Sequence, residues 1–266
     1  MQNRVSYYWY LFWKFRALRL MLLFEYRANF YFWSFISILW TLFNFFFFAL
    51  LLRVNGTIAG WNTAELYVLL ATFTILDSFT WSFFNRIMRV YTQSIFDGSF
   101  DLFLLRPVDP QLLLAIHDNN YSQISRLIIG AGILWWSVQK VGVPISLLTI
   151  AAYTALLGCS LLIIYNTWFA ISTMAFYVER LNNINDIIPG LRRVFQVPRG
   201  IYQGMGALLF TVILPFGLLS SIPAEVLLGR WELNWLLYFM AFAIVSTVAA
   251  RTFFHYSVLR YAGAGS

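Results

Sequence analysis

Long apolar runs alternate with short polar punctuation along almost the whole chain. Phe30 to Leu52 carries no charged residue, and about 20 apolar residues cross the hydrocarbon core of a bilayer, so this run predicts a first spanning helix. Arg53 to Thr63 holds the turn residues Asn55, Gly56 and Gly60. A second run, Leu66 to Phe84, has Asp77 near its middle, where an ionisable side chain must face protein or water rather than lipid. The bland reading of Asp77 is a hydrogen-bonded packing residue; the sharp one is a residue on a substrate path or at a contact between subunits. Ile124 to Val138 predicts a third span behind Arg126, whose long side chain can snorkel.

Ile145 to Val178 predicts a fourth helix, longer than one crossing needs, so that it tilts or emerges from the bilayer. Asn166 within it reads as interhelical glue. Glu179 to Gly200 is polar and broken by Pro189, Gly190 and Pro198, which predicts a segment outside the membrane. A fifth span is expected from about Ile201 to Ser221 and a last from Trp235 to about Phe254. Gly200 and Gly204 have the small-xxx-small spacing of close helix packing, with a flexible lead-in as the alternative. Pro215 and Gly217 must bend or break the fifth helix.

Before the first span, Ser6 to Tyr26 mixes aromatic and basic residues in the manner of a helix lying in the headgroup region. Counting Lys and Arg on alternate sides of the runs gives fifteen on one side and three, Arg53, Lys140 and Arg230, on the other. Positive charge marks the cytoplasmic face. The pattern therefore predicts an all-α polytopic membrane protein, a single transmembrane domain over residues 1–266. It has an interfacial helix at 1–28, six spans, both termini cytoplasmic, and a cytoplasmic segment at 96–110.

Composition agrees: 61% hydrophobic, 20% aromatic and only 11% charged residues exclude an ordinary soluble domain. The net charge of +7 is topological rather than a nucleic-acid footprint, because the basic residues sit between apolar runs. Cys159 is the single cysteine and the histidines are His117 and His255, so no metal spacing and no redox pair is present. Neither lysine lies in a GxxxxGK[ST] phosphate loop, and no GxSxG or HExxH pattern occurs. Catalytic, cofactor and metal sites are not expected in this chain.

Phe96 to Pro110 is the most heavily punctuated stretch. Gly98 breaks what precedes it, Ser99 can cap a short helix, Asp101 suits its first turn and Arg106 its last, and Pro107 stops it. Phe100, Phe103 and Leu104 fall at i, i+3 and i+4, one apolar knob at the membrane surface. Asp109 and Pro110 begin another helix as cap and first position. The knob suits a groove on another protein, or else packs on this chain's own span ends.

Taken with the late Pro223-Ala-Glu225-Val-Leu-Leu-Gly-Arg230, the element Gly98-Ser-Phe-Asp101-Leu-Phe-Leu-Leu-Arg106-Pro107 resembles type-2 ABC transporter permeases. The closer resemblance is to the bacterial six-span branch with G-x-x-D-x-x-L-L-R-P, and it covers essentially the whole chain. It implies a permease subunit of an exporter in the bacterial cytoplasmic membrane, paired with a second permease subunit and with two cytosolic ATPase subunits that hold ATP and Mg. By the same resemblance Ser99, Phe100, Asp101, Phe103, Leu104, Arg106 and Pro107 couple to the ATPase, and the interfacial helix makes a second contact with it. The resemblance further implies that residues 215–234 form a hairpin dipping back from the outer surface, and that spans two and five border the path, which would put Asp77, Gly204 and Pro215 near it. Asp97 departs from the basic residue common in that family. An amphipathic or lipid-like substrate suits the aromatic-rich spans; the rival readings are a nucleotide-independent carrier and a membrane scaffold.

Overall fold

The computed structural model describes residues 27–106, 109–117, 120–178 and 183–261, and six isolated residues before them. The interfacial helix expected over 1–28 lies largely outside the described residues, as does Pro107. Among the described residues the fold is all-helical. Helix α1 (Arg27–Asn55) is followed by a loop and by α2 (Thr63–Phe79), whose start is set by a capping box: Asn62 Oδ1 accepts from the Glu65 N–H and Glu65 Oε2 from the Asn62 N–H, both at 3.0 Å. The helix widens to π turns over Thr80–Phe84 and continues as α3 (Asn85–Phe96). The continuous rod of 34 residues is about 51 Å long, well beyond one hydrocarbon core.

Short helices α4 (Asp101–Leu104) and α5 (Pro110–His117) precede α6 (Ile124–Val141) and α7 (Leu147–Thr173). Helix α6 packs along α2 with Gly130 as the close point, where a Cβ would meet Thr74 Cγ2 at 3.1 Å. Asn166 on α7 donates to Ser246 Oγ and Thr247 Oγ1 at 3.2 and 2.8 Å, the interhelical bond expected of it. Both partners lie on the last helix, α11 (Leu233–Leu259).

Residues 183–201, expected to lie outside the membrane, are packed against other helices of the bundle. They form α8 (Ile187–Leu191) flanked by 3₁₀ turns, and they do not make a solvated loop. Asn185 meets Thr92, Arg192 reaches Asp77, Val197 packs on the cluster of Leu66 and Leu70, and Gly200 lies against Ala59. The segment thus runs antiparallel to the α2–α3 rod along most of its length. The expected fifth helix is broken at Pro215, as the sequence requires: α9 (Gly204–Ala207) with π turns to Ile213 meets the limb Pro215–Leu227, which contains α10 (Ser221–Leu227), at a 75° bend. The first limb is largely exposed, and the second is buried throughout.

Among the described residues four helices, Arg27–Val54, Thr63–Phe96, Leu147–Phe176 and Leu233–Leu259, are long and apolar enough to cross a membrane, or five spans if the bent pair counts as one. Helix α6, with Arg126, Gln139 and Lys140 in its 18 residues, is not among them.

Candidate functional site: the inner segment and the buried charge cluster

Gly98, with φ of 71°, turns the chain out of α3 as expected. Ser99 does not cap: the α4 N-terminus has no side-chain cap, and Ser99 contributes its backbone carbonyl to the Leu102 N–H at 3.1 Å. Of the two readings of the apolar face, packing on this chain's own helix ends holds for Phe100. Phe100 is fully buried within this chain, its ring 5.7 Å from Tyr91, 5.4 Å from Phe176, 6.4 Å from Phe254 and 5.9 Å from Tyr261. Phe103 stacks on it at 6.1 Å and is half-buried.

Leu102 is 60% and Leu105 80% exposed, and Leu104 is partly so. The outward surface is therefore Leu102, Leu104, Leu105 and Arg106, whose guanidinium lies 5.8 Å from the Phe103 ring. Periodicity identified a face but not its direction; four helical residues are too few to fix it. Asp101 is half-buried at the start of α4. Asp97 is held by Gln93 Nε2 at 2.8 and 2.9 Å. Asp109 and Pro110 start α5 as expected: Asp109 Oδ1 accepts from the Gln111 N–H at 3.0 Å, and Asp109 also pairs with Arg251 at 2.8 Å.

About 30 Å of helix from Phe96, roughly 19 residues back along the rod, Asp77 is buried and ion-paired. Arg126 Nη2 lies 2.7 Å and Arg192 Nη1 3.4 Å from the same Oδ2. Arg126, expected to snorkel, is buried; its Nε also donates to Thr41 Oγ1 at 2.9 Å, which ties α1, α2 and α6 together. Charge pairing outweighs escape to the headgroups because a lone carboxylate left in the bundle would cost several kcal/mol. The bland reading of Asp77 fits this geometry.

Gly204 is a lead-in rather than a packing residue: its φ is 55° and no atom lies within 4 Å of a Cβ placed there. Pro215 begins the second limb beyond the bend and is buried. The close glycine of this region is Gly217, where a Cβ would stand 2.9 Å from Tyr202 Cε2 and 3.1 Å from Phe210 O.

Sequence reasoning missed a second charge cluster at the opposite end of the bundle. Arg199 binds Glu225 at 2.9 Å and Glu232 at 2.6 Å, and Arg230 binds Glu65 at 2.6 Å. Arg199 therefore sits at the same end of the bundle as Arg230 and the 56–62 loop. Among the described residues no cluster of three or more His, Cys, Asp or Glu could hold a metal ion.

A family model described as ABC-2 family transporter protein matches residues 38–265. The chain belongs to the ABC-2 transporter family. No curated relative and no solved structure matches it. As an ABC-2 membrane protein it is a permease. The match covers the rod, the inner segment and both charge clusters.

Proposed function

We propose that this permease is the membrane-spanning subunit of an ATP-driven exporter of an amphipathic or lipid-like substrate in the bacterial cytoplasmic membrane. It pairs with a second permease subunit, identical or paralogous, and with two cytosolic ATPase subunits that bind ATP and Mg. The observation that carries the reading is the mounting of α4. Its exposed patch of Leu102, Leu104, Leu105 and Arg106 is joined through Phe100 to the inner ends of α3, α7 and α11. A patch so mounted moves with three long helices, and an ATPase that grips it can tilt them between two packings.

The coupling role keeps the expected segment, Ser99 to Pro107, with its contact surface moved to Leu102 and Leu105. Six crossings follow when residues 183–201 are taken as the fifth, in place of 201–221, and residues 204–227 as a hairpin returning to the outer side. Removing Arg192 and Arg193 from the charge count and moving Arg199 outward leaves twelve cations inside against four outside. Both termini stay cytoplasmic. A carrier relying on Asp77 for proton exchange is disfavoured, because that carboxylate is held by Arg126.

The test is the pair Leu102→Asp and Leu105→Asp in one chain. Both sites are exposed, so thermal stability is expected to stay unchanged, while ATPase co-purification and ATP-driven transport fall together. Unaltered coupling in that variant sinks the assignment.

A further inference from the structure

At the level of Asp77 guanidinium groups outnumber carboxylates. Arg126 is fully engaged, with Asp77 at 2.7 Å, Thr41 at 2.9 Å and Gln123 at 3.5 Å. Arg192 is not: it has one long contact to Asp77 at 3.4 Å and the face of Trp81 at 5.9 Å, so most of its five N–H donors are open. Its side chain is 26% exposed. Arg193 follows it, exposed and with no partner among the described residues.

Arg192 also stands between two cavities of about 10 Å³ each, roughly the room one water or one acceptor oxygen takes. One is lined by Asp77, Thr80, Trp81 and Trp168 among others. Trp168 is buried, and its indole N–H has no acceptor among the described residues. A buried indole N–H ordinarily has one. Open donors from Arg192 and Trp168 leave a place for one acceptor oxygen, and the surplus of positive charge beside it favours one that is anionic. That preference is strongest if residues 183–201 cross the membrane, since an unmatched guanidinium in hydrocarbon is expensive.

We propose that this pocket takes the anionic headgroup of an amphiphile, a phosphate, sulfate or carboxylate on an apolar tail, and that this is the substrate class the permease exports. One headgroup oxygen enters the cavity to accept from Trp168 and Arg192, and Arg193 adds charge at the same level. Asp77 keeps Arg192 loosely placed and is the group that the headgroup displaces from it. The binding half rests on the pocket alone; the export half rests on the function proposed above.

The test begins with the purified full-length permease in a neutral detergent, titrated with dodecyl phosphate, dodecylphosphocholine and dodecyltrimethylammonium. Dodecyl phosphate alone is expected to raise the thermal midpoint. Arg192→Gln should weaken its binding about tenfold or more, the loss expected for a charged hydrogen bond, and Trp168→Phe, which keeps the ring, should weaken it less. Equal responses to the three amphiphiles, or an unchanged response in Arg192→Gln, overturn the pocket.

The second arm reconstitutes the permease with its ATPase in phosphatidylcholine vesicles and follows a fluorescent alkyl phosphate and a fluorescent phosphatidylglycerol. ATP-driven movement of the alkyl phosphate, lost in Arg192→Gln, supports export. Anion-selective binding with movement of neither probe, while the permease still stimulates hydrolysis, identifies a resident lipid and overturns the export half. Because binding is read without ATPase, a failure of coupling and a failure of the headgroup site give different results.

Discussion

Asp77 and Arg126 form the pair on which three helices converge, and both are nearly inaccessible. Breaking a buried pair from one side strands a charge and costs about 3–5 kcal/mol, whereas removing both sides together costs far less. Asp77→Ala should therefore lower thermal stability in detergent strongly, Arg126→Leu comparably, and the double variant less than either. Strict additivity of the two losses would show that the pair does not act as a unit. The sequence revealed that Asp77 had to face protein, since its cost in lipid is local. It did not reveal Arg126 as the partner, because snorkelling and pairing draw on the same long side chain and only the fold decides between them.

At the scale of elements, the strongly apolar helices α1, α7 and α11 were legible because each satisfies its backbone internally and shows an uninterrupted hydrophobic run. Residues 183–201 were not. Their prolines, glycine and arginines read as a loop, yet the breaks are filled by neighbours: Ser220 Oγ donates to the Phe195 carbonyl, Tyr202 Oη donates to Val194 O at 2.8 Å, and Ser221 Oγ accepts from the Arg199 N–H at 3.1 Å. Such side-chain bonds let a broken segment lie inside a bundle. Gly217 is where this lattice is tightest. Gly217→Ala should destabilise the bent pair by about 1–3 kcal/mol, the usual cost of overpacking, because Tyr202 must move and give up its bond to Val194. Tyr202→Phe in the same background tests the link: if the two changes act through one contact, the double variant loses less than the sum, as read from thermal midpoints.

The inner segment was legible in its punctuation and not in its orientation. Gly98 and the Asp109-Pro110 start follow from backbone preferences that hold in any fold, while the direction of Phe100 depends on Tyr91, Phe176 and Phe254, which the sequence scatters over more than 160 residues. Phe100→Ala is expected to cost about 3–5 kcal/mol as a core truncation and to lower stability and coupling together. The exposed Leu102 and Leu105 changes should lower coupling alone. A Phe100→Ala protein of unchanged thermal midpoint would mean that α4 is not anchored by that ring.

For the whole molecule the decisive question is which side of the membrane receives Gly200. A positive-inside count made from hydropathy runs puts it with the cytoplasmic cations, whereas its neighbour Ala59 belongs to the loop between the first two spans. A Cβ on Gly200 would stand 3.5 Å from the Ala59 Cβ, inside the separation a disulfide spans. After Cys159→Ser removes the native thiol, Ala59→Cys with Gly200→Cys should cross-link spontaneously in cells, since disulfides persist on the oxidising outer side and not in the cytosol. Each single cysteine should react from outside with an impermeant maleimide, and a cysteine at Asp186, beside Arg89 at the other end of the segment, only after permeabilisation. Labelling of Gly200→Cys from the inside alone would return residues 183–201 to the cytoplasm and restore the fifth span to 201–221. Outer labelling with cross-linking leaves one arrangement: a crossing that carries Arg192 and Arg193 through the bilayer beside Asp77, where charge in the interior requires a partner of opposite sign.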